Sequence, residues 1–272
     1  MTTPSLVQTN PWQELRQFTA ARIALGRTGA SLPTDALLQF GLAHAQARDA
    51  VHQPLDMPAL ASHLLPLGLP ILTLHSAAAH RDEYLRRPDL GRRLDSQSAA
   101  HLAAENASGC DVALVIADGL SSTAIAHHAA PLLSALLPRL QDAGLRIGPL
   151  SLVAQGRVAI GDEIGALLKA RLVVVLIGER PGLSSPDSLG LYLTWQPQPG
   201  RMDSERNCIS NVRPAGLDYP QAVHKLHWLI DQAFTRRLTG VQLKDESDEV
   251  LLASSPSLSS VVNSSHDHMP SV

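Results

Sequence analysis

The chain has 272 residues, 44% of them apolar and only 3% aromatic, with a formal net charge of −3 and a pI of about 6.4. That length supports one large domain or two small ones, with a core built from Leu, Val, Ile and Ala. The charge gives no electrostatic case for nucleic acid or an anionic membrane as partner, and no run reaches the roughly 18 apolar residues of a membrane span.

Residues 1–10 read as a short flexible leader without the basic and apolar regions of a secretion signal. Cys110 and Cys208 make neither a disulfide framework nor a zinc quartet, so the expected setting is a reducing cytoplasm. Residues 11–70 are predicted to form a helical segment. Trp12, Leu15, Thr19, Arg22 and Ile23 have helical spacing over Pro11 to Leu25, and Gly26 stops that helix. Gly26, Gly29 and Pro33 then make a turn. Ser31 or Thr34 caps a second helix, with Leu37, Phe40, His44, Ala47 and Val51 facing inward. Met57 to Leu65 is a further short helix.

Residues 71–245 are predicted to form one α/β domain. Its first strand is Ile71 to His75. Arg81 to Asp95 is rich in arginine, with Pro88 in the middle. It reads as a solvated helix–turn–helix, or as a basic lip that contacts an anionic partner. From Asp111 the pattern becomes βα alternation. Val112 to Ala117 is a buried strand, and Asp118-Gly119 a turn. A helix capped by Ser121 or Ser122 runs to about Ala143, bent or broken at Pro131 and Pro138. Leu150 to Ala154 is the next strand, GDEIGALLKA the next helix and RLVVVLIGER the next strand. Near-continuous apolar strands with short links imply a mostly parallel sheet covered by helices on both faces. Leu189 to Trp195 adds a strand, antiparallel at an edge. Tyr219 to Leu238 is a long helix. Residues 246–272, acidic and then Ser-rich without periodicity, read as a disordered tail.

The chemistry-bearing residues concentrate between Ala154 and Asn211, where two strands end in polar loops. In open α/β sheets this is where ligands bind. Gly156 to Asp162 resembles a phosphate turn superficially, but it has neither a dinucleotide nor a triphosphate fingerprint. Glu179, directly after a strand, can serve as a general base, a ligand acceptor, or half of an ion pair with Arg180 or Arg157. Cys208, in the polar stretch ERNCISN, is either a ligand contact or a small buried residue. Asp118 reads as a turn-fixing residue. His127 and His128 read as surface groups that diverge by about 100° on a helix and do not chelate one ion. No paired acid and base with matching spacing is present, so no catalytic residue and no metal ligand is assigned.

Several long segments together carry a family resemblance. LGRTGASLPTDALLQFGLAHAQARDAVH, YLRRPDLGRRL, DVALVIADGLSSTA, QGRVAIGDEIG, VVVLIGERPGLSSPDSLGLYLTW, ERNCISNVRP and LTGVQLKD closely resemble the small (light) subunit of ethanolamine ammonia-lyase, over roughly Trp12 to Asp245. The resemblance implies a Rossmann-like sheet that closes one side of an adenosylcobalamin site. It implies a hetero-oligomer with a TIM-barrel large subunit that holds ethanolamine, and radical conversion of ethanolamine to acetaldehyde and ammonia. It places the cobalamin contacts on Val158, Glu179 and Cys208. No Asp-x-His-x-x-Gly motif is present to ligate cobalt, so the cofactor's own dimethylbenzimidazole is expected to stay on the metal. Ala154 departs from relatives that carry Glu there. The family setting is cytoplasmic, in some relatives within a bacterial microcompartment. The competing expectation is a stand-alone α/β ligand-binding or scaffold protein without turnover.

Overall fold

The apolar runs between residues 110 and 178 build the middle of the molecule. The computed structural model describes residues 6–104 and 108–248. In it those runs become β2 (Cys110–Ala117), β3 (Ile147–Ala154) and β4 (Ala170–Gly178). With β1 (Ile71–His75), β5 (Leu189–Trp195) and β6 (Arg206–Val212), they form one six-stranded sheet in the order β1-β3-β2-β4-β5-β6. The first four strands run parallel, and β5 and β6 are antiparallel additions. The chain is thus α/β with a mostly parallel sheet, as the sequence predicts. One position differs. β5 is antiparallel but internal, and β6 takes the edge.

Every residue of β2 is buried, because helices cover both faces of the sheet. Val112, Leu114 and Ile116 pack toward α5 (Ser122–Asp142) and α7 (Tyr219–Arg236). The alternate residues Ala113, Val115 and Ala117 pack toward α4 (Ser96–Ala104) and α6 (Ile160–Leu167). The expected break in α5 does not occur, although Pro131 and Pro138 lie within it. Both prolines are solvent-exposed, so the carbonyls they deprive of donors, on His127 and Ser134, sit on the wet side of the helix. Leu132, Leu133, Leu136, Leu137 and Leu140 hold the other side in the core.

The helix after β2 packs on one face of the sheet, and the helix after its neighbour β3 packs on the opposite face. The two intervening loops therefore diverge. This divergence opens a crevice at the carboxyl ends of the strands. Two glycines let the backbones around it close up. Gly119 has φ +60°, and a Cβ there would overlap the Gly178 carbonyl. A Cβ on Gly178 would overlap the Ser121 carbonyl. The Leu120 amide accordingly donates to the Gly178 carbonyl at 2.8 Å.

The N-terminal region differs more from expectation. Only Gln13–Phe18 is helical before residue 34, as a 3-10 turn with no buried residue. Such a short helix is marginal without a packing partner, and Trp12, Leu15, Phe18 and Ile23 are exposed. Next, α1 (Thr34–His52) forms as predicted but is rotated from the predicted face. Ala36, Ala43 and Ala50 turn inward, while Leu37, Leu38, Phe40 and Leu42 face outward. Its N-cap is Pro33, without the expected Ser or Thr side-chain bond. Helices α2 (Met57–Leu64) and α3 (Arg81–Arg86) complete this side. At the other terminus Ser247 is fully buried, with Lys225 paired to Asp248 at 2.8 Å. From residue 249 the predicted tail lies outside the described residues.

Gly178→Ala is expected to destabilise the chain by about 2–4 kcal/mol, because the new methyl has only backbone to displace. Denaturant unfolding followed by circular dichroism measures this. A loss below about 1 kcal/mol would show that the two loops separate freely.

Candidate functional site

Asp118 closes the base of the crevice. It is 2% exposed. Its two carboxylate oxygens accept the backbone N–H groups of Gln155 and Gly156, each at 3.0 Å. Arg81 Nη1 lies 3.4 Å from Oδ2 and also donates to the Gly119 carbonyl at 2.8 Å. Burial pushes the Asp118 pKa up, and Arg81 and the backbone donors oppose that rise. The turn-fixing role predicted for Asp118 holds, and it extends to the loop after β3. Arg81 is correspondingly not a solvated arginine.

Along that loop, the Arg157 guanidinium lies 4.1 Å from the Tyr84 ring centroid and donates to the Tyr84 carbonyl at 3.2 Å. Tyr84 is fully buried and donates its hydroxyl to the Gly156 carbonyl at 3.1 Å. The arginine-rich segment therefore divides in two. Arg81 and Tyr84 are structural supports beneath the loop, whereas Arg87 and Asp89 pair at 2.7 Å on the surface.

Val158 and Glu179 line one open cleft of about 450 Å³ together with Leu120, Arg157, Ile177, Arg180, Tyr192 and Ser210. Val158 comes from the loop after β3 and Glu179 from the residue after β4. Among the described residues, Glu179 takes its hydrogen bonds from neither arginine. Its Oε2 accepts the Ser188 hydroxyl in a short hydrogen bond and the Asn211 amide at 3.1 Å. Cys208 is not in a loop. It lies on the edge strand β6, exposed and in register with Tyr192 of β5. It stands beside the cleft rather than in its lining. Desolvation by its neighbours and then the Glu179 charge push its thiol pKa up, against a hydrogen bond from Tyr192. The group is a thiol at neutral pH.

β6 is held by a buried ion pair. Arg206 donates to both oxygens of Asp162 on α6, at 2.6 and 2.7 Å, and to Thr194 at 2.9 Å. Both side chains are nearly inaccessible. This pair fixes the strand that carries Cys208 and Ser210.

His128 is buried, not a surface group. Its ring bridges the Tyr219 hydroxyl at 2.7 Å and Asp187 at 3.2 Å. Burial lowers its pKa while Asp187 opposes that shift. Donor atoms of His127, His128 and Asp187 lie within 4.8 Å of one another, closer than helix geometry alone suggests. Asp187 also faces Arg213 at 3.8 Å, so its charge is already balanced. The arrangement ties α5, α7 and the loop after β4 together.

Sequence reasoning missed Tyr84, Tyr192 and Ser188. One signal was available: the chain has only three tyrosines, and all three sit in the hydrogen-bond or stacking network around this region. Among the described residues no helix is long and apolar enough to cross a membrane.

Two outcomes test this geometry. Arg206→Ala strands the buried Asp162 carboxylate and is expected to cost about 3–5 kcal/mol in denaturant unfolding, against a smaller loss for the joint Arg206→Met/Asp162→Leu exchange. Iodoacetamide should label Cys208 at pH 7.5 more slowly than free cysteine, read by mass spectrometry; equal or faster labelling would reveal a thiolate.

Comparison with known proteins adds a family. The model for the ethanolamine ammonia-lyase light chain (EutC) matches residues 9–244. The ethanolamine ammonia-lyase small subunit of Azotobacter vinelandii is 60% identical over 242 residues, covering 88% of this chain and 90% of the relative. That of Ralstonia nicotianae is 56% identical over 253 residues, covering 92% and 94%. That of Pseudomonas fluorescens strain SBW25 is 56% identical over 248 residues, covering 90% of each.

Proposed function

The chain belongs to the ethanolamine ammonia-lyase light-chain family, and from that premise we propose that it supplies one wall of an adenosylcobalamin site. The other wall belongs to a large subunit that holds ethanolamine. The observation that carries this reading is the open cleft at the strand ends, where Val158 and Glu179 stand on one wall with Arg157 and Arg180.

The residues present fit such a ligand. Cobalamin combines an apolar macrocycle with peripheral amides, hydroxyls and one phosphate. Val158, Leu120 and Ile177 offer apolar surface in the cleft. Arg157 and Arg180 offer cationic donors to amide oxygens or phosphate. Glu179 offers a carboxylate oxygen to an amide or hydroxyl. The cleft is open to solvent on one side, which leaves that side of a large ligand to a second wall.

When bound, adenosylcobalamin supplies cobalt–carbon homolysis, the source of the radical that converts ethanolamine to acetaldehyde and ammonia. The residues of this chain hold and orient. Glu179 accepts a hydrogen bond from the macrocycle's periphery or the ribose. Val158 and Leu120 exclude water from its face, which protects radical chemistry from stray reactions. Tyr192 and Cys208 pack the cleft's side. The partner also accounts for uncovered apolar surface elsewhere. Leu37, Leu38 and Leu42 on α1 are 57%, 67% and 61% exposed, and contiguous apolar surface of this kind marks a protein contact. We place the complex in the cytoplasm, in keeping with the two free cysteines.

Mixing the chain with its cognate large subunit and adenosylcobalamin should yield ethanolamine deamination. A well-folded mixture without turnover would favour a stand-alone binding protein. Glu179→Ala should weaken cobalamin binding to the assembled complex about tenfold, roughly 1.4 kcal/mol, in equilibrium dialysis. Unchanged affinity would remove Glu179 from the site. The isolated chain should bind at least about 100-fold more weakly than the complex, since one wall leaves most of the ligand in water.

A further inference from the structure

The hydrogen bonds around Glu179 are unequal at its two oxygens. Oε2 accepts both the Ser188 hydroxyl and the Asn211 amide. Among the described residues no hydrogen bond reaches Oε1. The holders are themselves fixed. Ser188 is 6% exposed, and its carbonyl accepts the Glu179 amide at 2.9 Å. Asn211 adopts φ +58°, and its carbonyl accepts the Leu217 amide at 2.8 Å. Gly190 completes the arrangement. A Cβ there would stand 3.1 Å from both Glu179 Cγ and Oε1, so the missing side chain leaves room for the carboxylate.

From this asymmetry we infer that Ser188 is a positioning residue for the cofactor site, and that Glu179 therefore presents a single oxygen, Oε1, to one amide or hydroxyl donor of the ligand. The inference rests on the reading of Glu179 as a cobalamin contact. A free glutamate has three rotatable bonds and two equivalent oxygens, and it loses that freedom on binding. Here folding has already removed it. With Oε2 saturated, the carboxylate cannot clamp a guanidinium through two parallel bonds. This explains why Arg157 and Arg180 stand in the same cleft without pairing to it, and it leaves both cations for acceptor groups of the ligand. A neutral donor at one point of a ring periphery suits such a site.

Ser188→Ala removes the hydroxyl but keeps the backbone bond to the Glu179 amide, so the fold should survive with an unchanged melting curve. The probe is cyanocobalamin, which lacks the adenosyl group, titrated by equilibrium dialysis into the complex with the large subunit. Ser188→Ala is expected to weaken binding about fivefold, and Ser188→Thr, which keeps the hydroxyl, to restore it. Adding Ser188→Ala to Glu179→Ala should cause no further loss, because the serine acts only through the glutamate. If the double variant instead shows the sum of both losses, Ser188 acts independently and the inference falls. If Glu179→Ala weakens binding but Ser188→Ala does not, the inference falls while the cofactor reading stands. If Glu179→Ala has no effect, the cofactor reading itself falls and takes the inference with it.

Discussion

The crevice depends on one buried carboxylate. Asp118 stands at the end of β2, the central fully buried strand, where a lone ionised group would be costly. It is accommodated because two backbone N–H groups and Arg81 converge on it. The same contacts dictate the path of the neighbouring loop. Gln155 turns through φ +57°, so that its amide and that of Gly156 both reach Asp118. The chain then delivers Arg157 onto Tyr84 and Val158 into the cleft. Asp118 thus links the most rigid strand to the loop that must be most accurately placed. The carboxylate is part of the scaffold rather than a reactant.

A second buried pair does the same. Arg206 and Asp162 join the edge strand to α6. Buried ion pairs seldom add net stability over apolar residues of equal volume. Their value here is geometric. Arg206 has its partners in one place only, and a shift of β6 by one residue would turn its charge to the wrong face. Such a shift would also separate Cys208 from Tyr192. Of the apolar side chains of β6 only Ile209 and Val212 reach the core, so the ion pair adds a third anchor to the register of this edge strand.

That same chemistry explains what the sequence hid. The strands β2, β3 and β4 were legible because they are continuous apolar runs, and their helices were legible from caps and spacing. β6 was not, since its buried Ile209 and Val212 are separated by polar residues and its first inward position is Arg206, a pattern that reads as loop. The face of α1 was inverted for the opposite reason. Leucine and phenylalanine were assigned to the core, yet it is Ala36, Ala43 and Ala50 that turn inward, and the larger residues face outward. His128 was misjudged because its partners, Asp187 and Tyr219, lie 59 and 91 residues away. Val158 and Glu179 come together through strand order, since β3 and β4 flank β2. Spacing along the chain carries no trace of that. Residue type alone gave only alternatives for Glu179, and the family resemblance selected among them.

The setting of Glu179 becomes intelligible once the site is read as the wall proposed above. A residue that exchanges protons needs a responsive environment and a substrate within reach. A residue that orients a large cofactor needs the reverse: fixed torsions and saturated secondary contacts. Glu179 has the second character. One oxygen is committed to Ser188 and Asn211, the strand beneath it carries a glycine, and the nearby arginines leave it alone. Cys208 points the same way: burial raises its thiol pKa, and it stands in register with Tyr192. A surface built like this gains affinity by losing little freedom on binding, and it does so only when something presses the ligand against it. On the proposed reading, the exposed leucines of α1 and the open cleft have one explanation: both are surfaces for the partner.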